Sequence, residues 1–254
     1  MTYLHNRDFL IEVAKGNIGG HSLVHKFGKN PSVANGSFEM VDLRSTSVAF
    51  LSAPTTVRVQ AGGNAADTAA GAGAQAITVV GVDDSLVEVS EDIELAGASA
   101  SSNTTASFWR VYRMYIADLR AGSYTVANTA AITLENSGGG TDLIVIAAGE
   151  GQSQHAAYTV ATGQTAYWMG VHIMVDSNKP ADVKLMKRET FNDVTTPFAP
   201  KRIVNYWDGI VGQMSFQPRS PVKFNALTDI WFEASGSGAI TEVSIDFELL
   251  LVDD

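Results

Sequence analysis

His21 and His25 are four residues apart, the spacing at which zinc hydrolases present two metal ligands from one helix face. Gly19-Gly20 precedes them and residue 22 is serine rather than glutamate, so a turn is expected and no metal site. Gly71, Gly73 and Ala76 imitate a dinucleotide fingerprint, but that motif opens a helix, and here it leads into the β-prone run Ile77 to Val80. A loop is expected instead. Ser153 and His155 bring a hydroxyl near an imidazole, in a polar loop lacking the nucleophile-elbow pattern and an acid to orient the base. Asp83-Asp84 and Glu91-Asp92 are adjacent carboxylates, which on a strand point to opposite faces and so cannot act as pairs in glycoside hydrolysis or calcium binding without help from elsewhere. Trp109, Tyr112, Tyr115, Tyr167, Trp168, Tyr206, Trp207 and Trp231 could stack on sugars, although core and subunit-contact roles are the plainer expectation. No catalytic constellation assembles, so neither enzymatic activity nor a cofactor is expected.

Composition narrows the classes further. The 254 residues contain no cysteine, which removes disulfides, thiolate metal sites and thiol nucleophiles. The net charge of −10 argues against coating a nucleic acid, whose affinity comes from Lys and Arg on phosphates. The charge is unevenly spread: residues 61 to 110 carry seven acidic side chains and one basic, 179 to 223 carry eight basic and four acidic, and 224 to 254 carry seven acidic and none basic. Blocks of opposite sign suit complementary subunit contacts as well as solvated faces. No apolar run is long enough to span a membrane, and residues 1 to 10 have no apolar stretch of the signal-peptide kind.

The elements that would position these residues are strands. Val87, Val89, Ile93 and Leu95 alternate with Glu88, Ser90, Asp92 and Glu94, the period of a half-buried strand, and Ile77 to Val80 should pair with it across Gly81 to Asp84. Phe108 to Ile116, Ile132 to Leu134, Leu143 to Ile146 and Tyr158 to Val160 read as further strands. Tyr167, Met169, Val171, Ile173 and Val175 form another alternating set, and Val183 with Leu185 begins the next strand. Val243, Ile245, Phe247, Leu249 and Leu251 make the clearest one. The expected fold is therefore all-β, an antiparallel two-sheet sandwich with jelly-roll topology, an immunoglobulin-like sandwich being the alternative. Residues 1 to 56 are turn-rich, with one short helix over Arg7 to Lys15 ended by Gly16-Asn17. They read as an irregular docking arm, leaving 57 to 254 as the sandwich domain.

Three regions carry a resemblance. Lys15-Gly16-Asn17, Gly20-His21-Ser22 and Lys26-Phe27-Gly28-Lys29-Asn30-Pro31 resemble an N-terminal signature of virion structural proteins of tailed bacteriophages, including short-tailed marine ones. Gly73-Ala74-Gln75, Gly81-Val82-Asp83 and Val89-Ser90-Glu91 in the middle, then Gly149 to Gln154 and Phe247 to Asp253, are similar to the same family in the same order. The resemblance implies a virion component, as head decoration or cement, collar or tail accessory protein, located in the virion after assembly in the bacterial cytoplasm. It supplies no catalytic residues. The signature residues Lys15, Asn17, His21, Ser22, Lys26, Phe27, Asn30 and Pro31 are the expected docking set. Expected partners are other capsid, connector or tail subunits and further copies of the chain, with a trimer as first guess. A carbohydrate-binding module for host recognition is the alternative function. Deleting residues 1 to 45 is expected to leave a folded sandwich that no longer docks.

Overall fold

The clearest alternation in the sequence becomes a central strand: Val243, Ile245, Phe247, Leu249 and Leu251 are all buried, while Glu248 on the opposite face is exposed. The computed structural model describes residues 8–44, 50–60, 64–117, 125–128, 130–195, 199–238 and 240–254. In chain order the elements are α1 (Phe9–Ala14), β1 (His21–Val33), β2 (Glu39–Met40), β3 (Val57–Val59), β4 (Ala76–Asp83), β5 (Glu88–Glu94), β6 (Phe108–Ile116), β7 (Ile132–Asn136) and β8 (Asp142–Ile146). There follow β9 (Ala157–Thr159), β10 (Gln164–Val175), β11 (Ala181–Arg188), β12 (Arg202–Ile210), β13 (Gly212–Phe216), β14 (Val222–Phe224), β15 (Asp229–Gly236) and β16 (Thr241–Asp253). The fold is all-β and every strand pairing is antiparallel.

Two five-stranded sheets hold the larger core. The first runs β1-β16-β10-β13, with β14 also on β10, and the second runs β12-β11-β15-β2, with β9 also on β15. Their inward side chains meet in one cluster that includes Trp168, Ile173, Leu185, Phe232, Phe247 and Leu249. Two three-stranded sheets, β3-β7-β8 and β5-β4-β6, close a second cluster around Ile77, Phe108, Met114, Leu134 and Ile144. The expected single domain over 57 to 254 thus contains two cores, the smaller one lying between β2 and β9 in the chain.

Three expectations need correction. The N-terminal region is not an irregular arm throughout, because thirteen of its residues form β1, paired with β16 from His21↔Val252 to Val33↔Thr241. Its alternation is hidden because the inward-facing positions between Val24 and Val33 are Lys26, Gly28 and Asn30 rather than aliphatic residues. Gly28 is required there: a Cβ would lie 2.3 Å from the Ala156 nitrogen and 2.5 Å from the Val41 oxygen. The short helix does form, with the Asp8 side chain accepting from the Leu10 N–H and Gly16 at φ +72° just beyond its end, while Arg7 lies outside the described residues.

The second correction concerns β10. A register shift between Trp168 and Gly170 changes the phase of the strand, so Trp168 is buried before it and Val171, Ile173 and Val175 after it. Tyr167 is only half-buried. The third concerns the β4–β5 hairpin, whose turn falls at 84–87 rather than 81–84. Gly81 stays in β4, where its Cβ position is filled by the Arg110 carbonyl oxygen at 1.9 Å.

Candidate functional site

A half-open cleft of about 720 Å³ lies between β1 and the β5–β4–β6 sheet. Leu23 to Phe27 form one wall, Val80, Glu88, Val89 and Ser90 another, and Tyr112, Arg113, Tyr115, Gln152, Ser153 and Tyr158 the floor and far side. The Tyr112 and Tyr158 hydroxyls both donate to Glu88 Oε2, the latter at 3.3 Å. Burial holds both phenols above the usual tyrosine range, and the nearby Glu88 carboxylate adds to the effect, so they remain donors. The Lys26 ammonium donates to the Tyr112 carbonyl and lies 5.5 Å from that ring's centre. Burial, reinforced by Arg113, pulls Lys26 well below the usual lysine value, with Glu88 partly opposing. Arg113 Nη2 donates to the His25 carbonyl at 2.6 Å.

Part of the polar lining of this cleft is already engaged. Its one serine with a resolved partner, Ser153, accepts the Met114 N–H on Oγ at 3.0 Å, and its carboxylate is already shared by two hydroxyls.

Two ionic clusters lie in the interior. Asp229, fully buried, accepts from Arg110 at 2.9 and 3.0 Å, from Arg188 at 3.0 Å and from the Thr159 hydroxyl at 2.7 Å. The Phe50 ring sits 4.8 Å and 4.2 Å from the two guanidinium carbons. The cluster joins β6 of the smaller body to β9, β11 and β15 of the larger. In the second cluster His155 Nδ1 is 3.2 Å from Asp42 Oδ2, which also takes the Arg44 Nε–H at 2.7 Å. Burial pushes His155 down to about 4 against the pull of Asp42. Burial alone would raise Asp42, but the His155 hydrogen bond and the Arg44 charge hold its carboxyl below the usual range.

Sequence reading found no acid for His155, and the fold supplies Asp42 from 113 residues away. The pair is sealed from solvent at 6% and 2% exposure, which makes it a structural bond. No local signal links residues 42 and 155. His21 and His25 lie on the same extended strand, about 13 Å apart at ~3.3 Å per residue, too far to share an ion. His21 Nδ1 faces the Gly19 carbonyl, and His25 lies 3.8 Å from Asp246. Among the described residues no group of three or more His, Asp or Glu could hold a metal ion.

The paired carboxylates have local duties. Asp83 Oδ1 accepts the Ser85 and Val87 N–H groups, Glu91 holds those of Thr105 and Ala106, and Asp92 takes the Thr78 hydroxyl. Trp168, Trp231 and Trp207 are core residues, and Trp109 packs edge-on against Phe191. Of the expected docking set, Lys15 and Asn17 both bond the Glu12 carboxylate near the surface, and Ser22 and Pro31 are exposed. Phe27 is half-buried in the cleft wall. Lys26 and Asn30 are internal, Asn30 donating to the Met40 carbonyl and accepting the Ser32 N–H around the irregularity at Pro31. Six of the eight signature residues therefore lie on β1, and Lys15 and Asn17 lie just before it, beside α1.

No protein-family model matches the chain, and no curated protein matches it. Among solved structures, one of the infectious bursal disease virus Gx strain aligns at 10% identity and TM-score 0.23, covering 91% of this chain and 70% of that one. The T=1 particles derived from infectious bursal virus align at 9% identity and TM-score 0.21, covering 92% and 74%. Likeness at this level assigns neither fold nor function. No helix among the described residues is long and apolar enough to cross a membrane.

Proposed function

We propose that this chain is a non-enzymatic structural component of a tailed-phage virion, a head decoration, collar or tail accessory protein that acts by subunit assembly. The strand order carries the reading. Counting only the eight strands that make the two ladders, β1, β2, β10, β11, β12, β13, β15 and β16, the sheets run first-eighth-third-sixth and fifth-fourth-seventh-second. That order, with the first and last strands side by side and the chain changing sheet at every step except from the fourth strand to the fifth, fits a jelly roll of two Greek keys, an architecture frequent in viral shells. The smaller body is then an insertion between the second and third strands.

Jelly rolls also serve as lectins, so the fold alone does not decide. The phage-like signature favours the virion reading, since Lys26, Gly28 and Asn30 in it are residues that lock the first strand into place. The sugar-binding alternative loses most of its motive, because the tryptophans it relied on are used in packing. Mass spectrometry of gradient-purified particles should find the chain at fixed copy number, and native mass spectrometry of the isolated protein should find a homo-oligomer, a trimer being expected. Absence from purified particles would overturn the proposal.

A further inference from the structure

β1 is laddered to β16 along one edge, and along the other no strand of the described residues pairs with it. In an antiparallel strand the N–H and C=O of a residue point the same way, alternating along the chain. The His25 carbonyl accepts from Arg113 and the Lys29 N–H donates to the Gln154 carbonyl, so odd-numbered residues of β1 direct their backbone groups away from β16. Leu23 and Phe27 share that phase, and their N–H and C=O groups, with the His25 N–H, face the cleft without a backbone partner among the described residues. Lys29 closes one end of this open stretch. From Leu23 to Phe27 the edge spans about 13 Å at ~3.3 Å per residue.

From this geometry we infer that the cleft receives an extended acidic segment of another polypeptide, which adds to β1 as a further strand. Main-chain hydrogen bonds would supply affinity, as in other strand-addition complexes. The walls supply selectivity. Leu23, 41% exposed, with Val24, Phe27, Val80 and Val89 half-buried, offers apolar contact to alternate side chains of the guest. Arg113 is the accessible cation of the cleft, Lys26 lying buried behind it on the Tyr112 carbonyl, while the one carboxylate of the lining, Glu88, is already taken by the two tyrosine hydroxyls. In a chain of net charge −10 this balance marks out an acidic guest. Arg113 uses one lone pair of the His25 carbonyl and leaves the second for the guest. The inference does not rest on the virion reading, and it reverses the expected direction of docking: the signature segment is the acceptor strand, not the donor arm.

The test uses fluorescence anisotropy on the full chain with a labelled, end-blocked heptapeptide alternating valine and glutamate. Two further peptides carry N-methyl groups on alternate residues in either phase, and a fourth replaces glutamate by lysine. One methylation phase should abolish binding and the other leave it within about twofold, because only alternate N–H groups enter a ladder. The lysine peptide should bind at least about tenfold more weakly. Leu23→Pro, which removes a cleft-facing N–H but no bond to β16, should weaken binding about tenfold while circular dichroism stays native. Equal binding by both methylated peptides, equal binding by the lysine peptide, or no binding up to about 1 mM would overturn the inference. So would concentration-dependent self-association that the glutamate peptide fails to compete away, which would give the cleft to a second copy.

Discussion

Asp229 is bonded by two arginines and a threonine, and its neighbours come from both cores. A carboxylate stripped of water is held only by such partners, and the converse applies to the arginines. Burial pulls Arg188 below its usual value, and Asp229 is the main opposing influence. Asp229→Asn would leave two buried guanidiniums facing each other, and the expected loss is about 3–5 kcal/mol in urea unfolding. His155 makes a different prediction. Its folded value, about 4, lies below its usual 6.5, so the unfolded chain binds the extra proton first. Stability is therefore full above about pH 6.5 and declines as pH falls toward 4, by about 3 kcal/mol for this group. Asp42, Arg44 and Lys26 are the charges facing it. Urea midpoints across that window should slope for the native chain and flatten for His155→Gln; an unchanged slope would assign it to other groups.

Among the elements, β16 was legible because its inward positions are all aliphatic or aromatic, so period and burial coincide. β10 was legible as a strand but not in phase, since the register shift near Trp168 leaves no mark in residue type. β1 was hidden altogether: between Val24 and Val33 its inward positions are Lys26, Gly28 and Asn30, which no hydrophobic period can report. Those same residues fall in the segment that carries the resemblance, which the physical reading took for an irregular arm. The cleft was illegible for a related reason, since β1, β5 and β6 meet through contacts some 60 to 90 residues apart in the chain. Two predictions belong at this scale. Gly28→Ala should cost about 1–3 kcal/mol, because backbone atoms rather than a side-chain tip must yield, whereas Gly138→Ala, with open space around it, should be near neutral. Removing residues 1–20 should preserve the β-sheet dichroism and a sharp thermal transition, but removing 1–45 should abolish both. The second result reverses the expectation drawn from an arm, because β1 supplies the whole outer neighbour of β16.

At the scale of the molecule, the open question is whether the inserted body is a separate unit. Its own cluster of Ile77, Phe108, Met114 and Leu134 would suit independent folding. Three features oppose that. Arg110 of β6 is spent on Asp229 of β15, and it also donates to the Phe191 carbonyl in the loop after β11. Val82 and Tyr112, on strands of the smaller body, belong to the larger core, where Tyr112 packs against Tyr158 with ring centres 4.7 Å apart. Glu88 then ties both hydroxyls together at the cleft. Unfolding the insertion alone would leave Asp229 without one of its two arginines and open Tyr158 and Val160 to water, so the intermediate carries the cost of a broken buried ion pair as well as exposed core. The two bodies should therefore unfold together. Urea titrations of Trp109→Phe followed by tryptophan fluorescence, which then reports Trp168, Trp207 and Trp231 on the two five-stranded sheets alone, and by far-ultraviolet dichroism, which counts strands of both bodies, are expected to coincide within error. A dichroism change that precedes the fluorescence change would mean that the insertion melts first, and Arg110→Met should produce that separation if the buried pair is what couples them.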